Sequence, residues 1–271
     1  MQVASEATEA LGLEGADDLV VYRCESDCVR LTLNRPSRAN ALVPALLSRF
    51  RDALATAVSQ SPRVLILDAA GKAFSTGTDI SGHLEHADDP DRLRAYADEL
   101  IGQLNGAILD LMAFPAPVVT AVRGPVTGGS IGFLLASDIV VMSEGAFAQP
   151  YCAEMGFAPI GGWTAILPKR IGEARALEIQ LLNRKVEAWR AHALGLVTAV
   201  PAREEFNAEL HQQVETLRAK ETGALVTARA LIRSEDRRLE IARGLEAERV
   251  KYVERIALPE VIERMRTFSA A

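Results

Sequence analysis

The sequence predicts an α/β fold, in which strands, glycine-bearing loops and helices alternate and a region of helices alone follows. Three observations carry this prediction. Apolar runs rich in β-branched residues read as strands: LVVYRC (19–24), CVRLTLN (28–34), RVLILDA (63–69), PVVTAV (117–122) and SDIVVMS (137–143). Helical spacing separates them, with Leu46, Leu47, Phe50, Leu54 and Val58 in phase over 43–59 and a long helix over 92–114 ending at Pro115 and Pro117. After Pro201 no strand pattern remains, and 204–217, 224–233 and 239–256 read as charged amphipathic helices. The expected division is a loose acidic arm over 1–16, a core over 17–200 and a helical region over 201–271.

The first two strands form a hairpin about ESD (25–27). Cys24 and Cys28 flank that turn, where they could face each other across the strands, and read as two reduced thiols on a hairpin. Three cysteines make no disulfide framework, and four scattered histidines make no metal site. RPSRANAL (35–42) is a loop punctuated by Pro36 and Asn40, and GKAFSTGTDISG (71–82) is a Gly/Ser/Thr loop. In the last region Arg237, Arg238, Glu240, Arg243, Glu246, Glu248, Arg249 and Glu254 are expected on a solvated, mixed-sign face. These helices are expected to cover the core or a neighbouring subunit.

With 271 residues, 49% of them hydrophobic, the chain can bury a large core. A net charge of -6 without a Lys/Arg-rich block argues against a nucleic-acid partner. The opening MQVASEATEALGLEGADD is acidic and lacks the apolar centre of a signal peptide. No run approaches the ~18 apolar residues of a membrane span. The expectation is a cytoplasmic protein with no membrane partner.

Two loops can carry chemistry. Phe74 to Asp79 follows the strand 63–69, and Gly128–Gly129–Ser130 follows the strand 117–122, each at a strand end before a helix start. N–H groups at a helix start lack intrahelical partners and point outward, and glycine leaves them accessible. Two that converge make an oxyanion hole; otherwise these are two ordinary tight turns. Neither loop has the glycine spacing or Gly-Lys-Ser/Thr of a nucleotide-binding loop.

LNRPSRANAL (33–42), AFSTGTDI (73–80), GPVTGGSIGFLLASDIVV (124–141), MGFAPIGGWTAILPKRIG (155–172) and ALEIQLLNRKVEAWRAHALGLVTAV (176–200) resemble the signature blocks of the crotonase, or enoyl-CoA hydratase/isomerase, superfamily. The resemblance covers residues 17 to 200 in order and continues loosely to the end. It implies a spiral of β-β-α turns with a helical C-terminal region, assembled as a homotrimer or homohexamer. It implies acyl-CoA thioester substrates and no cofactor beyond the coenzyme A that the substrate carries. The family's oxyanion hole falls on the backbone N–H groups of Thr78 and Gly129, with Gly128 beside it. Thr76, Thr78 and Ile80 fall on the adenine and pantetheine path, with Ser37 and Arg38 on its other side.

The acids depart from the pattern. The first hydratase glutamate falls on Gly132, and the second falls on Tyr151 or Cys152 according to the alignment chosen. The acid position of isomerases, after Pro159, holds Ile160. Glu154 is the carboxylate nearest the vacant positions, with a solvated surface place as the alternative. Cys152 is a nucleophile only if its pKa is lowered and is otherwise a small core residue. Tyr151 is a candidate proton donor and Trp163 a candidate wall of the acyl pocket, each with packing as the alternative. His83 and His86 are candidate acid–base groups or surface residues. Asp79 and Asp138 are expected to be structural. Three readings follow: an enolate-stabilising acyl-CoA enzyme that does not hydrate, a hydratase with a displaced acid, and a non-catalytic acyl-CoA-binding protein.

Overall fold

In the computed structural model, which describes residues 18–270, the chain opens with an antiparallel hairpin of β1 (Val20–Glu25) and β2 (Cys28–Leu33). The acidic arm expected over 1–16 lies outside the described residues. Cys24 pairs with Val29 and Glu25 with Cys28. Successive side chains alternate across a strand, so the two cysteines point to opposite faces, correcting the reading that they could face each other.

A 3₁₀ turn (Pro36–Arg38) leads to helix α1 (Pro44–Ser59), strand β3 (Val64–Ala69), α2 (Ile80–Leu84) and α3 (Pro90–Ala113). Two β-β-α units follow. The first is β4 (Val118–Val122), β5 (Val126–Thr127) and α4 (Ile131–Ala136), entered through a 3₁₀ turn at Gly128–Ser130. The second is β6 (Ile139–Met142), β7 (Phe147–Gln149) and α5 (Cys152–Met155). Then come α6 (Leu167–Ile171), α7 (Glu173–Leu181), β8 (Val186–Glu187) and α8 (Ala188–Ala193). The chain closes with α9 (Phe206–Arg218), α10 (Thr222–Ile232), α11 (Glu235–Ile256) and α12 (Pro259–Ala270).

Strands β1-β2-β3-β4-β6 form one sheet, parallel from β2 onward, and β5-β7-β8 form a second. The chain alternates between the sheets and so winds as the expected spiral. Leu65 and Leu67 of β3 face the main core, whereas Val64 and Ile66 face Phe206, Leu210 and Val214 of α9. Burial on both faces explains why β3 and β4 read as continuous apolar runs. Helix α3 lies between α1 and α11 and buries Leu93, Ala97, Leu100, Leu104, Ile108 and Leu111 along one side.

Helix α11 buries Ile241, Leu245, Glu248, Tyr252 and Ile256. That spacing puts Glu248 inside the apolar stripe, correcting the expectation that it lies on the solvated face.

Asp138 anchors the outer edge. It accepts from the Val118 N–H at 2.8 Å and pairs with Arg229 at 2.7 Å and Arg233 at 2.9 Å. The same guanidinium groups, with Arg170, donate to the last carbonyls of α3 and α4: Leu111, Phe114, Leu135, Ala136 and Ser137. Cations there satisfy orphan carbonyls and oppose the negative helix ends. Removing the aspartate strands two mostly buried cations. Asp138→Ala is expected to cost about 3 kcal/mol in urea unfolding, with Arg229→Gln milder because it leaves the Arg233 pair in place.

Candidate functional site

The two glycine loops are joined main chain to main chain. Phe74 and Ser75 donate to the Pro125 carbonyl at 3.1 and 3.2 Å, and Thr127 donates to the Ser75 carbonyl at 3.0 Å. The Ser130 hydroxyl bridges the carbonyls of Ser75 and Thr127. At the crossing, Gly77 (φ 80°) meets Gly128 (φ 55°). A Cβ on Gly77 would lie 2.8 Å from the Thr127 carbonyl oxygen and 3.3 Å from the Gly128 Cα. Only glycine permits both the left-handed backbone and this approach.

Thr78 and Gly129 are the next residues along each loop. The Gly77 carbonyl and the Asp79 N–H both bond to Leu42, at 2.7 and 3.0 Å, so the Thr78 N–H points the other way. The Gly129 N–H lies in the first turn before α4, where no intrahelical acceptor exists. Among the described residues neither N–H has an acceptor. Unpartnered donors ahead of helix starts suit an oxygen that gains negative charge.

Asp79 fixes the first loop. Its carboxylate caps α2 through Ser81 N at 3.0 Å and accepts from Arg35 at 2.6 Å and Arg38 at 3.2 Å. Burial alone would raise its pKa, but the hydrogen bonds and charges of Arg35 and Arg38 hold it below the usual carboxylate range. Arg38 also reaches the Ser81 hydroxyl at 2.7 Å, and the Thr76 N–H bonds to the Ala39 carbonyl at 3.1 Å. Ser37, Arg38, Thr76 and Ile80 thus share one corner, the first three exposed and Ile80 half-buried.

Behind Thr78 lies a buried polar chain. His83 is fully buried, against the surface alternative, because α2 tucks beneath α12 and the Tyr96 ring of α3 packs edge-on at 5.2 Å. His86 is half-buried, its ring 4.8 Å from that of Tyr96. The His83 Nδ1 is 2.9 Å from the Asp79 carbonyl oxygen and its Nε2 is 3.1 Å from the Tyr252 hydroxyl. A carbonyl only accepts, so Nδ1 carries the hydrogen and Tyr252 donates to Nε2. Burial lowers the His83 pKa to about 4 and raises that of Tyr252. Both are neutral at pH 7.

Behind Gly129 lies a second buried polar group. The Glu248 carboxylate accepts from the N–H groups of Gly162, Thr164 and Ala165 at 2.8, 2.7 and 2.9 Å, and from the Thr164 hydroxyl at 2.6 Å. Burial pushes its pKa up, and these four donors pull back. The turn it holds covers the start of α4. A Cβ on Gly129 would sit 2.9 Å from Leu104 Cδ2 and 3.0 Å from Ile160 Cδ1. One on Gly132 would sit 2.8 Å from Ile108 Cγ1 and 2.9 Å from the Gly161 carbonyl oxygen, so no side chain fits there. Trp163 is buried and donates its indole N–H to the Gly128 carbonyl at 2.8 Å.

The remaining candidates divide. The Cys152 thiol is buried and bonds to the Pro150 carbonyl at 3.3 Å; burial, then the nearby Glu248, pushes its pKa up to about 12. It is not a thiolate near neutral pH. Tyr151 is half-buried in a left-handed conformation (φ 59°), its N–H held by Asn183 at 2.8 Å. Glu154 is exposed on α5. The structure therefore gathers Thr78, Gly128, Gly129, Cys152 and Trp163 with Tyr252 and Glu248, which the sequence reading missed. The available signal was the phase of α11, which sets both among apolar residues.

None of the gathered residues lines the cavity of about 810 Å³ between α3, α6, α10 and α11, whose walls include Arg170, Arg229 and Arg233. The His83 shift predicts an acid-side loss of stability. Above the unfolded value near 6.5 both states are neutral; as pH falls toward 4 the unfolded chain protonates first and stability drops by about 3 kcal/mol. Urea midpoints at pH 7 and pH 4.5 are expected to differ less in His83→Gln than in the parent.

Comparison with known proteins agrees with this architecture. The family description Enoyl-CoA hydratase/isomerase matches residues 23–268. A Mycobacterium bovis protein named "Probable enoyl-CoA hydratase" is 36% identical over 187 residues, 66% of this chain and 64% of its own length. The chain thus spans under two thirds of that relative. A mitochondrial enoyl-CoA hydratase domain-containing protein of Bos taurus is 30% identical over 243 residues, 88% of this chain and 80% of its own. An enoyl-CoA hydratase crystal structure from Mycobacterium avium subsp. paratuberculosis superposes with a TM-score of 0.83 at 27% identity, covering 93% of this chain and 96% of that one. One from Bacillus halodurans, at 21% identity, shares the fold with a TM-score of 0.85 over 92% of this chain and all of its own. With a family match across nearly all of the described residues, the chain belongs to the enoyl-CoA hydratase/isomerase family.

Proposed function

We propose that this protein binds acyl-CoA thioesters and stabilises a thioester enolate between the N–H groups of Thr78 and Gly129. The observation that carries the reading is the contact of Gly77 with Gly128, each directly before a residue whose N–H has no acceptor among the described residues. Ser37, Arg38, Thr76 and Ile80 would receive the coenzyme A moiety at the adjoining corner, and Trp163 would back the donor loop. Isomerisation, decarboxylation, carbon–carbon cleavage and thioester hydrolysis all use such a site.

Hydration of simple 2-enoyl-CoAs fits poorly. It needs water held and deprotonated while a proton reaches the α-carbon, which hydratases of this family assign to two glutamates. Their positions correspond to Gly132, where packing leaves no room for a side chain, and to Tyr151 or Cys152. Glu154 is exposed, and both Glu248 oxygens are engaged by the 162–165 turn.

Calorimetry is expected to give binding with acetyl-CoA and crotonyl-CoA and weaker binding with ADP; absence of heat with every acyl-CoA would overturn the reading. Crotonyl-CoA hydration, followed by enoyl absorbance, is expected at least ~10²-fold below a hydratase of the family. Gly132→Glu is expected not to restore it, because the new side chain meets Ile108. A rate within tenfold of the control would point to a displaced acid, and binding without turnover of any acyl group to a binding protein.

A homotrimer or homohexamer completes the reading. Leu181, Leu182, Leu231, Ile232 and Trp189 remain exposed on one protomer, 58–74% of their surface open to solvent. Sedimentation at micromolar concentration is expected to give the trimer or hexamer mass; a monomer would count against it.

A further inference from the structure

We infer that Tyr252 is a positioning residue for the Thr78 N–H, an assignment that rests on the reading of that N–H as a donor to the thioester oxygen. Two sets of tethers hold the Gly77–Asp79 segment. The Leu42 main chain takes the Gly77 carbonyl and the Asp79 N–H. On the other side Tyr252 donates to His83 at 3.1 Å, and the His83 Nδ1–H holds the Asp79 carbonyl at 2.9 Å.

The direction of this chain is fixed. The Asp79 carbonyl can only accept, which forces the hydrogen onto Nδ1 and makes Nε2 an acceptor for the phenol. His83 and Tyr252 are both fully buried, so water does not compete for either bond. The carbonyl of the residue after Thr78 is thus held by a chain that traces to one hydroxyl on α11, 174 positions beyond Thr78.

The ring and the hydroxyl do separable work. Tyr252 packs on Phe157 at 5.4 Å and on His83 at 6.0 Å between centroids, contacts that phenylalanine would keep. Tyr252→Phe therefore removes the tether and leaves the packing. His83→Phe removes the same link at its middle member while keeping a ring between Tyr96 and Tyr252.

The test is the absorbance of bound hexadienoyl-CoA, a conjugated thioester whose band moves to longer wavelength as its carbonyl is polarised. The parent protein is expected to shift the band, and Tyr252→Phe to lose at least half of the shift with its dissociation constant changed less than about threefold. On whichever acyl-CoA the protein turns over, kcat is expected to fall about ten- to a hundredfold with KM nearly constant, the scale of a donor displaced by up to an ångström. His83→Phe is expected to match Tyr252→Phe, and the double variant to lose no more than either single one. A full shift in Tyr252→Phe, or losses that add in the double variant, would overturn the assignment while leaving the donor reading intact. Binding without any shift in the parent would instead overturn the donor reading, and this assignment with it.

Discussion

The buried carboxylate of Glu248 is the constraint on which the site's geometry depends. Burying an ionised carboxylate is costly unless donors replace its lost water, and here three backbone N–H groups and a hydroxyl do so. Hydrogen bonds to a charged group contribute about 1.5–3 kcal/mol each, so the cluster offsets the burial only when the 162–165 turn is fully formed. That turn has left-handed glycines at 161 and 162, and Gly161 backs directly onto the Gly129 main chain. The carboxylate thus reaches through one turn of chain to fix Ile160, Trp163 and the start of α4. Arg249, next to it on α11, pairs with Asp98 of α3 and holds the helix in place.

Glu248 and Tyr252 sit one turn apart on the same helix face, and each serves a different loop. Glu248 braces the Gly129 side and Tyr252 the Thr78 side, while Gly77 and Gly128 hold the loops against each other. Backbone donors need no reorganisation when charge develops, provided that folding has already fixed their directions. The C-terminal helices are therefore a condition for the site, although neither donor belongs to them. This explains why a helix rich in exposed charge devotes two polar side chains to its buried stripe.

The sequence made the frame legible and left its bracing hidden. Strands β3 and β4 could be read because burial on both faces demands continuous apolar runs, and the Gly77 and Gly128 loops because glycine marks a left-handed or crowded backbone. Helix starts were placed less well: α11 begins at Glu235, ahead of the first apolar residue of its pattern, Leu239. Glu248 was misplaced because a charge within a charged helix was counted with its neighbours, when its spacing from Leu245 and Tyr252 was the better guide. His83 offered no comparable local signal. Its burial depends on Tyr96 and on α11 and α12, whose positions are tertiary facts. The facing of Cys24 and Cys28 turned on a one-residue register, which a hairpin's residue types do not fix.

The bracing also sets the electrical character of the site. His83 and Tyr252 are neutral near pH 7, Cys152 keeps its proton, and the charge of Glu248 is turned toward its own ring of donors. A mobile, unpaired carboxylate beside the two N–H groups would repel any negative charge developing there, and in a weakly polarisable interior that repulsion is larger than in water. Packing Ile108 and the Gly161 carbonyl against Gly132 keeps such a charge out of one neighbouring position. What this arrangement gives up in general-base power it returns as an undiminished field at the N–H donors, the field that favours negative charge developing on an oxygen held there.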